Sequence, residues 1–112
     1  FIRPQRYTFE FIEKNDYYTM SFFDEKYRDA LKLCGSKSGR DVDKVAETGL
    51  TPAFTEDGIP YFAEAKLVLV CKKMYSQFLN SESILDEQSV SKWYDNDFHK
   101  MYISEIKEVL TK

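Results

Sequence analysis

The apolar positions of this chain follow two periods. The longest apolar run, Leu67-Val68-Leu69-Val70-Cys71, is rich in β-branched residues, so a central strand is expected there, continuing to Phe78. Residues 17–23, Tyr-Tyr-Thr-Met-Ser-Phe-Phe, are aromatic and β-branched and predict another strand. Residues 100–106 alternate polar and apolar and predict the last strand, extended by 107–112. Residues 1–3 are strand-like up to Pro4, and residues 59–65 form a strand with Pro60 at its start or on an edge. Helical spacing appears in three short runs. Thr8 would cap a helix over 9–14 with Phe11 and Ile12 turned inward. Asp24 would cap a second over 25–33, with Tyr27, Ala30, Leu31 and Cys34 on one face. A third covers 41–47 and is closed by Gly49. An extended connector over 49–54 and a turn at Glu56-Asp57-Gly58 lie between these helices and the central strand. In the polar stretch 80–97, Ile84, Leu85, Val90, Trp93 and Tyr94 are spaced for a short amphipathic helix.

Composition narrows the class. The 112 residues suit one domain, residues 1–112, and a 43% hydrophobic share is enough for a core. Eight Tyr and nine Phe fit a barrel or a large interface better than a Leu-rich bundle. The net charge of −3 is spread through interspersed charges of both signs, which argues against a nucleic-acid partner. No apolar run is long enough to span a bilayer as a helix, so no membrane partner is expected. Cys34 and Cys71 are far apart and lack a C-x-x-C spacing, so two buried, reduced thiols and a cytoplasmic location are expected.

Candidate chemistry concentrates between the second and third helices. Residues 35–44 carry Gly35, Gly39, Ser36 and Ser38 together with the cations Lys37, Arg40 and Lys44. Glycines allow close backbone approach, and hydroxyls and N–H groups at a helix start suit an anion such as phosphate. A solvated helix–helix loop would have the same composition, and the residues alone leave both readings open. Arg3, Arg6, Tyr7 and Thr8 lie where a strand gives way to a helix. They read either as a second group of phosphate ligands or as a plain threonine cap with surface arginines. His99 is the only histidine, and it has neither a triad partner nor a second His for a metal site. Trp93 and Tyr94 either stack on a ligand or anchor their own helix. No glycine-rich dinucleotide motif or Walker motif is present, which excludes a Rossmann domain.

Three ordered motifs resemble the flavin reductase-like family, which includes the flavoredoxins. They are Arg3-Pro4-Gln5-Arg6-Tyr7-Thr8 leading into Phe11-Ile12-Glu13-Lys14-Asn15, then Ser38-Gly39-Arg40-Asp41-Val42-Asp43-Lys44, then Asp97-Phe98-His99 before the last strand. The resemblance covers essentially the whole chain and implies a mainly β, FMN-binding split β-barrel with short helices. It implies flavin-phosphate contacts at Thr8 and its neighbours Arg3, Arg6 and Tyr7, with Lys44 meeting the same phosphate and Ser38 and Arg40 in support. His99 would border the isoalloxazine ring on the nicotinamide side, held by Asp97, in a supporting rather than an acid–base role. Hydride would pass directly from NAD(P)H to flavin, leaving the protein to place the two. The resemblance also implies a homodimer. The readings it leaves are an NAD(P)H-dependent flavin reductase acting on free flavin, an electron carrier serving an acceptor protein, and a dimeric scaffold without flavin. Family members have strands and a turn before the Arg3 motif that have no counterpart here. An absent N-terminal segment is therefore expected, and with it an incomplete flavin site and weakened FMN binding.

Overall fold

The computed structural model describes residues 1–36, 38, 43–88 and 98–112. Its centre is β4 (Leu67–Phe78), the strand expected from the long apolar run. It lies between β1 (Tyr17–Phe22) and β5 (Lys100–Thr111) in an antiparallel sheet of order β1-β4-β5. Val68, Val70 and Cys71 are buried there. The β4–β5 register shifts between Val70 and Cys71, the alternation of faces breaks, and two successive residues go inside. Pairing with β1 runs from Leu67 to Lys72, so beyond Lys72 the sheet continues as β4 and β5 alone.

Three helices flank the sheet: α1 (Tyr7–Lys14), α2 (Arg28–Ser36) and α3 (Lys44–Thr48). In α1, Ile12 is buried as expected, but Phe11 is 51% exposed and packs its ring against Tyr7 instead. The N-cap of α1 is Arg6, so Thr8 belongs to the first turn and does not cap the helix. Asp24 likewise makes no side-chain cap. The helix expected over 25–33 is a 3-10 turn, Glu25–Tyr27, followed by α2, which runs on through Gly35 and Ser36. Leu31 is exposed, and Leu33 takes its place on the packed face with Tyr27, Ala30 and Cys34. Cys34 is half-buried rather than buried.

Helix α3 is capped by Asp43, whose carboxylate accepts from the Ala46 N–H at 3.2 Å. It is closed by Gly49 at φ 73, a conformation that L side chains resist. Beyond it, β2 (Pro52–Phe54) and β3 (Pro60–Phe62) form a hairpin. Its turn contains Gly58 at φ 81, where the expected turn lies. The strand expected over 59–65 is thus shorter, and the extended connector contributes β2. Residues 1–3 contribute a single bridge, Ile2 with Lys100, in place of a strand. In the stretch 80–97, the described part forms a 3-10 turn, Ser81–Ser83, and is helical at Glu87 and Gln88, while Leu85 is 99% exposed, contrary to its expected place on an apolar helix face. Val90, Trp93, Tyr94 and Asp97 lie outside the described residues, as do Lys37, Arg40 and Asp41.

Candidate functional site

Two backbone turns set up the site. The Arg6 N–H donates to the Arg3 carbonyl at 3.1 Å and the Phe9 N–H to the Arg6 carbonyl at 3.1 Å, so the chain turns tightly into α1. Arg3 and Arg6 thereby stand beside the start of α1. On the opposite side, α2 and α3 meet end to start. The Lys44 ammonium, on the first residue of α3, donates to the Cys34 carbonyl in the last turn of α2 at 2.7 Å. That carbonyl is among those a helix end leaves without an intrahelical donor, and α2 has no basic residue of its own in its last turn.

Between these walls lies an open cleft of about 790 Å³, with Arg3, Arg6, Tyr7, Thr8, Ser38, Lys44 and His99 all in its lining. Sequence positions from both ends and the middle of the chain therefore converge on one place. Arg40 lies outside the described residues. His99 is brought in by β5: the Leu79 N–H donates to the His99 carbonyl at 3.0 Å, and Lys100 next to it pairs with Ile2. Three cations line the cleft and no carboxylate does among the described residues. With hydroxyls at Thr8 and Ser38, that is the donor set of an anion site. Lys44 has a structural partner that the sequence did not disclose. An ammonium carries three N–H donors, and the Cys34 carbonyl takes one.

Sequence reasoning missed Gln5, Phe11 and Cys34, which also line the cleft. The signal for Cys34 was its place immediately before Gly35; its thiol was read as core. A neighbouring, larger cleft of about 1000 Å³ lies between α1, β1 and the β2–β3 turn and shares Phe1, Ile2, Thr8 and Phe11 with the first. Its described lining sets Asp16 and Asp57 against Lys14 alone, so the concentration of positive charge belongs to the smaller cleft. Among the described residues no group of three or more His, Cys, Asp or Glu is placed to hold a metal ion, and no helix is long and apolar enough to cross a membrane.

The fold is mostly β with short helices, an antiparallel sheet and a cationic cleft at its helix ends. Residues 1–111 match the model of the flavin reductase like domain, and the chain belongs to that family. Solved structures agree on the fold. Flavoredoxin of Desulfovibrio vulgaris (Miyazaki F) superposes with a TM-score of 0.74 at 24% identity over 99% of this chain and 50% of that one. Flavoredoxin from Methanosarcina acetivorans gives 0.75 at 19% identity over 99% and 50%. An FMN-binding protein from Thermus thermophilus with bound p-hydroxybenzaldehyde gives 0.73 at 19% identity over 99% and 52%. The chain thus spans about half the length of these structures. No curated protein matches it.

Proposed function

We propose that this chain is the flavin-phosphate half of an FMN site and that the protein reduces flavin with NAD(P)H. The observation that supports the reading is the meeting of Arg3, Arg6 and Lys44 with Thr8 and Ser38 around one cleft that no described carboxylate lines. FMN carries a phosphate monoester, and when bound it supplies a ring that accepts hydride or single electrons. The fit lies in the donor set. Arg3 and Arg6 offer planar guanidinium forks, Lys44 a point charge and Thr8 a hydroxyl beside the first-turn N–H groups of α1. A solvated loop would have no reason to gather cations from residues 3, 6 and 44 around one cleft. Arg40 remains part of the proposed set. His99, at the edge of the same cleft, would border the nicotinamide and help orient it, with no proton to move.

The same reading includes a homodimer and a reducing compartment such as the cytoplasm. Met74, Phe78, Ile106 and Val109 leave apolar surface exposed along β4 and β5, and both cysteines are free thiols. A second reading, an electron carrier for an acceptor protein, is favoured by the two flavoredoxins among the similar folds. Steady-state oxidation of NADH and NADPH with excess FMN separates the two. Turnover that scales with protein concentration supports the reductase. FMN binding without nicotinamide oxidation overturns it in favour of the carrier.

A further inference from the structure

Lys100 stands where the walls of the cleft are joined, although it does not line the cleft itself. Its backbone pairs with Ile2 in both directions, at 2.8 and 2.9 Å, and so fixes the segment that carries Arg3. It directly follows His99. Its ammonium donates to Glu13 Oε1 at 2.7 Å, and Glu13 belongs to α1, whose first turn carries Tyr7 and Thr8. The Tyr102 hydroxyl donates to the same carboxylate oxygen at 2.6 Å. Three aromatic rings surround the ammonium, with centroids 5.1 Å away at Phe78 and 5.9 Å away at Phe9 and Tyr102.

An exposed ion pair would contribute little order. This one is different: the Lys100 side chain is 16% exposed and that of Glu13 35%, and both have further partners. Rings on α1, β4 and β5 close on one cation, so the three elements hold a fixed spacing. We infer that Lys100 is a positioning residue for the cationic cleft: its side chain clamps α1 to β5 while its backbone clamps the Arg3 segment to the same point. Arg3, Thr8 and His99 keep their mutual distances through it. The inference rests on the reading that the cleft takes the phosphate of FMN.

The test compares Lys100→Met, Glu13→Ala and Lys100→Arg with the unaltered protein. The readout is phosphate preference, the ratio of riboflavin to FMN dissociation constants from flavin fluorescence titration. Lys100→Met removes a positive charge near the cleft and Glu13→Ala a negative one. If the pair acted only through its field, the two substitutions would shift the preference in opposite directions. If it positions the walls, both lower the preference by about threefold or more, and Lys100→Arg restores most of it. Opposite shifts, no shift, or equal loss of both flavins with the preference kept would overturn the inference. Should the unaltered protein show no preference for FMN, the proposed function falls by itself. Lys100 is then judged by amide hydrogen exchange at Ile2, expected to quicken in both Lys100→Met and Glu13→Ala. Unchanged exchange there overturns the clamp.

Discussion

The ammonium of Lys44 lies 2.7 Å from the carbonyl oxygen of Cys34, so the residue that opens α3 also closes α2. Lys44 is therefore both a cleft cation and a helix-end cap. Lys44→Ala loses a charge-assisted bond of roughly 1.5–3 kcal/mol at each role. FMN affinity should fall by about one to two orders of magnitude while riboflavin affinity changes by less than about threefold. Urea unfolding should show a parallel loss of stability of about 1 kcal/mol or more. Equal loss of both flavins would assign Lys44 to the fold alone.

Thr8 is in the first turn of α1 and not at its cap, which changes what its removal should do. A capping threonine would cost about 1 kcal/mol of stability when replaced by alanine. Thr8→Ala should instead leave thermal stability within about 0.5 kcal/mol, as for an exposed surface position. FMN binding should weaken about two- to tenfold, as the loss of one neutral hydroxyl bond would give. Calorimetric unfolding and a fluorescence titration on the same sample check both halves.

The cluster around Glu13 predicts pH dependence in two directions. Hydrogen bonds from Lys100 and then Tyr102 hold the Glu13 carboxyl below the usual carboxylate range. Its contribution is complete above that range and is lost as pH falls through the lowered folded-state value. Burial, followed by the bond to Glu13, pushes the Tyr102 hydroxyl up from its ordinary value of 10.0. That contribution is complete below 10.0 and is lost only as pH rises through the raised folded-state value. Melting temperatures across acid pH should therefore flatten in Glu13→Gln, and those across alkaline pH should flatten in Tyr102→Phe. Superimposable profiles for variant and unaltered protein would contradict the account.

Gly49 closes α3 at φ 73, with its N–H on the Val45 carbonyl at 3.1 Å. No atom lies within 4 Å of a Cβ placed there, so the obstacle to a side chain is backbone conformation alone. Gly49→Ala should cost about 1–2 kcal/mol. Because α3 carries Lys44, it should weaken FMN more than riboflavin. Gly35 also has open space around it but no positive φ and lies within α2, so Gly35→Ala should have the opposite sign, raising stability in urea by up to about 1 kcal/mol.

The sheet was legible where a strand's surroundings leave a pattern. The continuous apolar run of 67–71 marks β4, the central strand, and the polar–apolar alternation of 100–106 marks β5, although Ile103 and Ile106 of that alternation are exposed. Helix ends were less legible, because Thr8, Asp24 and Asp43 carry equally good capping side chains and only Asp43 uses its own. Tertiary contacts chose among them. Leu31 and Phe11 looked inward by spacing, yet both are exposed, because helices this short bury only a narrow stripe. The candidate site was proposed from residue types and motifs, and the gathering of Arg3 and Lys44 around one cleft is a product of the fold. The bond from Lys44 to Cys34 and the clamp at Lys100 depend on contacts ten and eighty-seven residues apart, which no local pattern encodes.

The central claim is that the cleft recognises a phosphate monoester. The most direct measurement is a side-by-side titration of this chain with FMN and riboflavin, which differ by that group alone, repeated against inorganic phosphate as competitor. The account predicts FMN bound about tenfold or more tighter than riboflavin, with the advantage eroded by phosphate. Equal affinities for the two flavins, unaffected by phosphate, would contradict it.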